Sequence, residues 1–397
     1  MMVPKLRFKE FTNKWCECLL GNLVDIKSGN SPSTYELSSE GNYPFVKVED
    51  MNNCTKYQID AREYVINSQF CFPAGSIIFP KRGAAIMNNK VRILNQNSCA
   101  DTNMMALIAT SIKPEFLYYL VNLIGLYKIA DTSTIPQINN KHILSFKVDI
   151  PSEEEQTKIA DFLSSVDEKI TLLNQQYDLL CQYKKGMMQE IFSQKMRFKD
   201  DSGRAFPEWK STTLDEVVDL ITNGLALDQN DSKNGYPVSR IETISERCIN
   251  MKKVGFVDTD NDISNYKLNY GDMLFSNINS ISHIGKIAYF DIDDTLYHGM
   301  NLLRIVIKNS HCKLFFYYQL TTDTNKKYFE SRANQAVSQA SINQTELRKT
   351  PVQVPCKEEQ TKIANFLSAL DDKIVVKKAE LDKLKTWKQG LLQQMFV

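Results

Sequence analysis

The stretch with the most evident chemical capacity begins at Lys81: Lys-Arg-Gly-Ala-Ala-Ile-Met-Asn-Asn-Lys-Val-Arg. It places Lys81, Arg82, Lys90 and Arg92 around Asn88 and Asn89, and no acidic residue occurs between Tyr64 and Ala100. Lysine and arginine suit phosphate oxygens, and arginine with asparagine can bond base edges bidentately. This is the chemistry of recognition. A second polar loop, with Ser133 and Thr134, follows at Ala130. Formal net charge is only +1, so basic character is local and total charge does not announce a nucleic-acid partner.

Both loops have counterparts further along. The first corresponds to "SNINSISHIGKI", with Asn277, Asn279, Ser280, His283 and Lys286, which is polar but much less basic. The second corresponds to "ESRANQAVSQAS", with Arg332, Gln335, Ser338 and Gln339. Lys47 and Arg240 occupy one further equivalent position, beside Glu49 and Glu242.

The usual catalytic signatures do not occur. There is no G-x-x-x-x-G-K-[ST] loop, no G-x-G-x-x-G fingerprint and no N-P-P-[FY] motif. The four histidines lack metal spacing. "DEK" at Asp167 and "DDK" at Asp371 read as surface charge on helices, not as nuclease carboxylates. Nine cysteines without a C-x-x-C pair read as reduced thiols in a cytoplasmic protein, without disulfides or zinc. The opening residues have no apolar signal-peptide core, and the apolar run from Phe116 is too short and interrupted to span a membrane.

The elements that carry the loops are a tandem duplication. "EEQTKIADFLSSVDEKI" at Glu154 returns as "EEQTKIANFLSALDDKI" at Glu358, an offset of 204. Fainter matches extend it: "KLRFKE" at Lys5 with "KMRFKD" at Lys195, and "AGSIIF" at Ala74 with "YGDMLF" at Tyr270. The boundaries follow: globular domains at 1–150 and 195–354, helices at 151–194 and 355–397. The domains read as mixed α/β (α+β), with strands at "VRIL", "MMALIA", "FKVDI", "MLFS", "KIAYF" and "LLRIVI". "PEFLYYLVNLIG" and "KLFFYYQLTTDTNKKYF" read as helices.

In the first long helix Ile159, Leu163, Val166, Ile170, Leu173, Tyr177, Leu180, Lys184, Met187 and Ile191 alternate steps of four and three. Adding 204 gives Ile363, Leu367, Leu370, Ile374, Lys377, Leu381, Leu384, Lys388, Leu391 and Met395. This is the a/d seam of a coiled coil sustained over several heptads. At ~1.5 Å per residue each helix is roughly 60 Å long. The expected arrangement is an intramolecular antiparallel, pseudo-twofold pair that separates the two domains, with the second helix ending near residue 1. A lysine at a seam position can set register at a cost in stability, but the seam lysines at 184 and 388 are expected instead to snorkel out to solvent where the helix ends fray. Gly186 and Gly390, kept in both copies, suggest either close approach of another backbone or a nearby helix end. Ser152 and Glu155 have capping-box spacing.

In its order of reader, "PSEEEQTKIADFL" helix, reader and "PCKEEQTKIANFL" helix, the chain resembles the specificity subunit of type I restriction-modification systems. The "K-[LM]-R-F" openings and "FPEW" at Phe206 support the resemblance, which covers essentially all 397 residues. It implies that each domain reads one half of a gapped, asymmetric double-stranded DNA site and that the helices fix the gap. It also implies two docked methyltransferase subunits and further restriction/translocase subunits. Those partners carry S-adenosylmethionine, ATP and Mg, so this chain holds no cofactor and is no enzyme. The other reading is a duplicated coiled-coil scaffold that presents two protein-binding domains without DNA recognition.

Overall fold

The computed structural model describes residues 4–133, 135–280, 283–335 and 340–396. The chain forms two compact units, residues 1–175 with 379–397, and residues 176–378. Five helices organise them: α1 (Pro114–Ile124), α2 (Glu153–Phe192), α3 (Lys313–Leu320), α4 (Asp323–Arg332) and α5 (Lys357–Met395). Each unit therefore holds one globular domain, the start of the long helix that follows it and the end of the other long helix.

The first unit is built on an antiparallel sheet of β1 (Val24–Ser28), β2 (Ile77–Pro80), β3 (Arg92–Leu94) and β4 (Met104–Ala109), in the order β1-β4-β2-β3. Tyr57–Gln58 adds a parallel edge beside β3. The second unit repeats the plan with β5 (Val218–Asn223), β6 (Met273–Ser276), β7 (Ile287–Tyr289) and β8 (Leu302–Ile307), in the order β5-β8-β6-β7. The two sheets match strand for strand. Their central strands are apolar on both faces because helix packs on one side and the smaller strands on the other. The stretch read as one helix from Lys313 is two, α3 and α4. The break falls at Thr321–Thr322, where the Thr322 hydroxyl accepts the Asn325 N–H and restarts the helix.

The repeated "EEQ" has a specific task in each unit. Glu155 is almost fully buried; its carboxylate accepts both Nε and Nη2 of Arg7 at 2.7 Å and the Trp15 indole N–H at 3.4 Å. Glu359 accepts Arg197 at 3.0 and 2.9 Å and Trp209 at 2.9 Å. The next residue, Gln156 or Gln360, accepts the backbone N–H of Lys113 or Cys312 at 2.9 Å, immediately before α1 or α3. Its amide donates back to Pro151 or Pro355. The motif thus ties the start of each long helix to the "RF" opening and to the domain's own helix. Ser152 supplies only half of a capping box, because the Glu155 carboxylate is engaged by Arg7 and not by the helix start.

Within each unit the two long helices run antiparallel. In the first, Ile159, Leu163 and Val166 share a core with Leu391, Met395 and Phe396, whose ring stacks on Phe116 and meets Trp15 edge-on. The Leu6 N–H donates to the Gln394 carbonyl, so the end of α5 lies beside the first residues. In the second, Ile191 shares a core with Ile363, Leu367 and Leu370. Ile170, Leu173, Tyr177, Leu180, Ile374 and Leu384 are half-buried and Leu381 is buried, while the off-seam Leu172, Leu179, Val375 and Val376 are more than half exposed. A 3.5-residue apolar period therefore selects the inward face over mere hydrophobicity.

Three expectations are corrected. The seam lysines do not point to solvent: Lys388 pairs with Asp167 and Lys184 with Asp371, each at 2.5 Å, so those aspartates are not ordinary surface charge either. Among the described residues no other backbone approaches Gly186 or Gly390: a Cβ at 186 would meet nothing within 4 Å, and one at 390 only the Gln394 side chain at 3.9 Å. Cys71 and Cys99 form a disulfide, their Cα atoms 4.3 Å apart, because the Phe72–Ser98 bridge aligns two segments that sequence spacing does not relate. The remaining seven cysteines are free thiols.

Candidate nucleic-acid interface

In the first unit the chain leaves β2 through Lys81 and Arg82, turns at Gly83 and makes one helical turn, Ala84–Met87. Gly83 sits at φ +82° with open space about it, so the conformation and not crowding calls for glycine. Arg82 bridges Gln137, which in turn bridges Asp131. The Gly83 N–H donates to Pro136, and the Ile138 N–H to Lys81. The basic loop and the polar loop around Ser133, distant in sequence, thus form one small ladder.

The second unit builds the same ladder more fully. Ile278–Asn279 pairs with Ala340–Ser341, which pairs with Asn334–Gln335. The Ile342 N–H donates to the Asn277 carbonyl, as Ile138 does to Lys81. The Ser280 hydroxyl lies 2.9 Å from His283 Nδ1, and Asn279 holds the Ser280 N–H. Arg332, exposed at the end of α4, lies over the Tyr328 ring at 5.5 Å. Thr134, Ser338 and Gln339 fall outside the described residues.

The ladder sorts the sequence candidates. Arg82 and Asn88 are exposed, as is Ser133, and the apolar Met87 and Ile135 beside them are 54% and 71% exposed. Lys81 is half-buried; burial and the Arg82 charge hold its ammonium below the ordinary lysine value. An incoming phosphate would relieve that repulsion.

Others are committed to the fold. Asn89, at φ +47°, donates to the Asn122 carbonyl and accepts the Leu126 N–H, both at 2.9 Å, joining the basic loop to the end of α1. Arg92 donates to the Met51 carbonyl at 2.7 Å and Lys90 to the Asn52 side chain. Lys47 pairs with Glu63. Arg240 is held by Gln229 and Asp231, both at 2.7 Å, and Lys286 by the Ser245 carbonyl. Asn277 is buried, with its amide oxygen unpaired among the described groups. Sequence could place these side chains in polar loops but could not see carbonyls and carboxylates brought from other segments.

Asn89→Ala removes both amide bonds and keeps a left-handed backbone. It is expected to cost about 2 kcal/mol of first-unit stability, read as earlier urea unfolding of that unit. Loss of recognition at unchanged stability would contradict this assignment.

Among the described residues no cluster of three or more His, Cys, Asp or Glu could hold a metal, and no helix is long and apolar enough to cross a membrane. The site is a pair of topologically equivalent loop ladders with unlike side chains, partly exposed, each on a sheet locked to paired helices. That arrangement defines a duplicated two-domain protein with divergent loops. The family model for the type I restriction modification DNA specificity domain matches it twice, at residues 13–182 and 207–386, and the chain belongs to that family.

Among relatives, the chain is 25% identical over 399 residues to the type I restriction enzyme MjaVIII specificity subunit of Methanocaldococcus jannaschii, covering 95% of this chain and 91% of that one. It is 39% identical over 202 residues to the putative MjaX specificity subunit of the same organism, a match to 50% of this chain that spans about half, 48%, of that relative. The fold is shared with the crystal structure of a type I restriction-modification S subunit from M. genitalium. That likeness has TM-score 0.62 at 17% identity, over 100% of this chain and 99% of that one.

Proposed function

We propose that this chain is the DNA-specificity subunit of a type I restriction-modification complex. Each globular unit reads one half of a gapped, asymmetric duplex site, the helices set the spacing, and their repeated surfaces dock two methyltransferase subunits. The observation that carries this reading is like scaffolds bearing unlike ladders: Arg82, Met87 and Ile135 in one unit, Asn279, His283 and Arg332 in the other. Equivalent frames with different side chains suit a target whose two halves differ. Adenine must leave the helix stack to be methylated, and exposed apolar side chains beside an arginine suit a strained duplex. The chain itself is non-catalytic in this reading. S-adenosylmethionine, ATP and Mg belong to the methyltransferase and restriction/translocase subunits, and the assembly works in the cytoplasm.

Binding of the chain, assembled with its methyltransferase partner, to duplex DNA is expected to fall steeply with salt. A footprint of about six phosphates loses roughly 10³-fold in affinity between 50 and 200 mM. Methylome sequencing with and without the gene should show one bipartite motif. A flat salt profile without sequence preference would favour a protein-binding scaffold instead.

A further inference from the structure

We propose that two repeat-related ionic clamps, Tyr119–Asp167–Lys388 and Tyr318–Asp371–Lys184, fix the register of the paired helices and so the number of base pairs between the half-sites. This rests on the reading above and names the residues that set its spacing.

In the first clamp Lys388 Nζ lies 2.5 Å from Asp167 Oδ1, and the Tyr119 hydroxyl donates to Asp167 Oδ2 at 2.6 Å. In the second, Lys184 Nζ lies 2.5 Å from Asp371 Oδ1, and the Tyr318 hydroxyl donates to Asp371 Oδ2 at 2.8 Å. The ammonium groups also lie 5.6 Å and 5.1 Å from the centroids of the Tyr119 and Tyr318 rings. Adding 204 to 167 and 184 gives 371 and 388, so each clamp is the other with the helices exchanged. Each joins three pieces: the aspartate at the start of one long helix, the lysine near the end of the other, and a tyrosine from α1 or α3 of the adjoining domain.

The apolar seam cannot fix register alone. Apart from Tyr177, Lys184, Lys377 and Lys388 its a/d positions are aliphatic or Met, so over most of the seam sliding one helix by three, four or seven residues still sets apolar against apolar. Lysine at a seam position lowers stability relative to leucine, yet both copies keep it with a matched carboxylate. A slide of one turn moves each Nζ ~5.4 Å along the axis, out of reach of its carboxylate and tyrosine together. On DNA, at ~3.4 Å per base pair, that displacement is one to two base pairs. Along the seam itself the polar pairs remove that degeneracy; at the end of α5 they act with the Phe396–Phe116 stack and the Leu6–Gln394 bond.

The test is the methylome of cells that express the chain with its methyltransferase partner. The wild-type chain should methylate one pair of half-sites at one gap. The Asp167→Asn, Asp371→Asn double variant should keep both half-sites and raise methylation at gaps one or two base pairs longer or shorter by about tenfold. Exchanging the charges, Lys184→Asp with Asp371→Lys and Lys388→Asp with Asp167→Lys, should restore the single gap. A double variant that methylates only the wild-type gap overturns the proposal. If the double variant does not accumulate, Asp167→Asn and Asp371→Asn are read singly, and an unbroadened gap in both overturns it equally. A wild-type chain without any bipartite motif would instead overturn the functional reading on which the proposal rests.

Discussion

Arg7→Ala is expected to destabilise the first unit by about 3–5 kcal/mol, the range for breaking a buried ion pair from one side. Glu155 is 1% exposed and takes two of its three close bonds from Arg7; the third, from Trp15, is long at 3.4 Å. Without the guanidinium the carboxylate stays buried with one weak donor. Arg197→Ala should cost less, because Trp209 holds Glu359 at 2.9 Å and Arg197 is itself more exposed. Glu359→Gln should be milder still: the amide oxygen can keep the Trp209 bond, and the arginine left behind reaches solvent. Hydrogen exchange can localise each effect, since each variant should raise opening of its own unit. Equal losses for Arg7→Ala and Arg197→Ala would contradict this order. So would protection that falls in both units together.

The duplication, both long helices and the inward face of each were legible because periodicity survives without tertiary information. Four of the strand readings, "VRIL", "MMALIA", "MLFS" and "LLRIVI", coincide with central sheet strands, where apolar runs bounded by turns leave little choice. What was not legible depends on contacts between distant segments. Tyr119 looked like one more apolar helix residue, and its hydroxyl on Asp167 is visible only once α1 meets α2. Asn89 and Arg82 lie seven residues apart in one basic stretch. A left-handed backbone at 89 turns one amide inward, while the turn at Gly83 leaves the arginine outside. The two polar loops were each visible as loops, but nothing in their spacing said that Arg82 would pair with Gln137. Composition marks where basic and polar side chains gather, and the backbone around them decides which face outward.

Arg82→Ala should weaken recognition of one half-site and leave the other intact. The side chain stands exposed on a backbone held by Gln137 and by the bonds flanking Gly83, so its removal does not undo the loop. A lost bidentate base contact corresponds to about 1–3 kcal/mol, or roughly 5- to 150-fold in the methylation rate of the intact site. A contact to phosphate alone would instead weaken all sequences alike and lower the salt slope by about one. Methylation of duplexes substituted in one half-site at a time separates the two roles. If Arg82 reads a base, Arg82→Ala relaxes the requirement at one position of one half and leaves the other half's sequence preference unchanged. The second ladder gives the reciprocal control: Arg332→Ala should touch only the opposite half. If either variant altered both halves, the ladders would not be separate readers, and the reason for keeping one scaffold twice with different side chains would be lost.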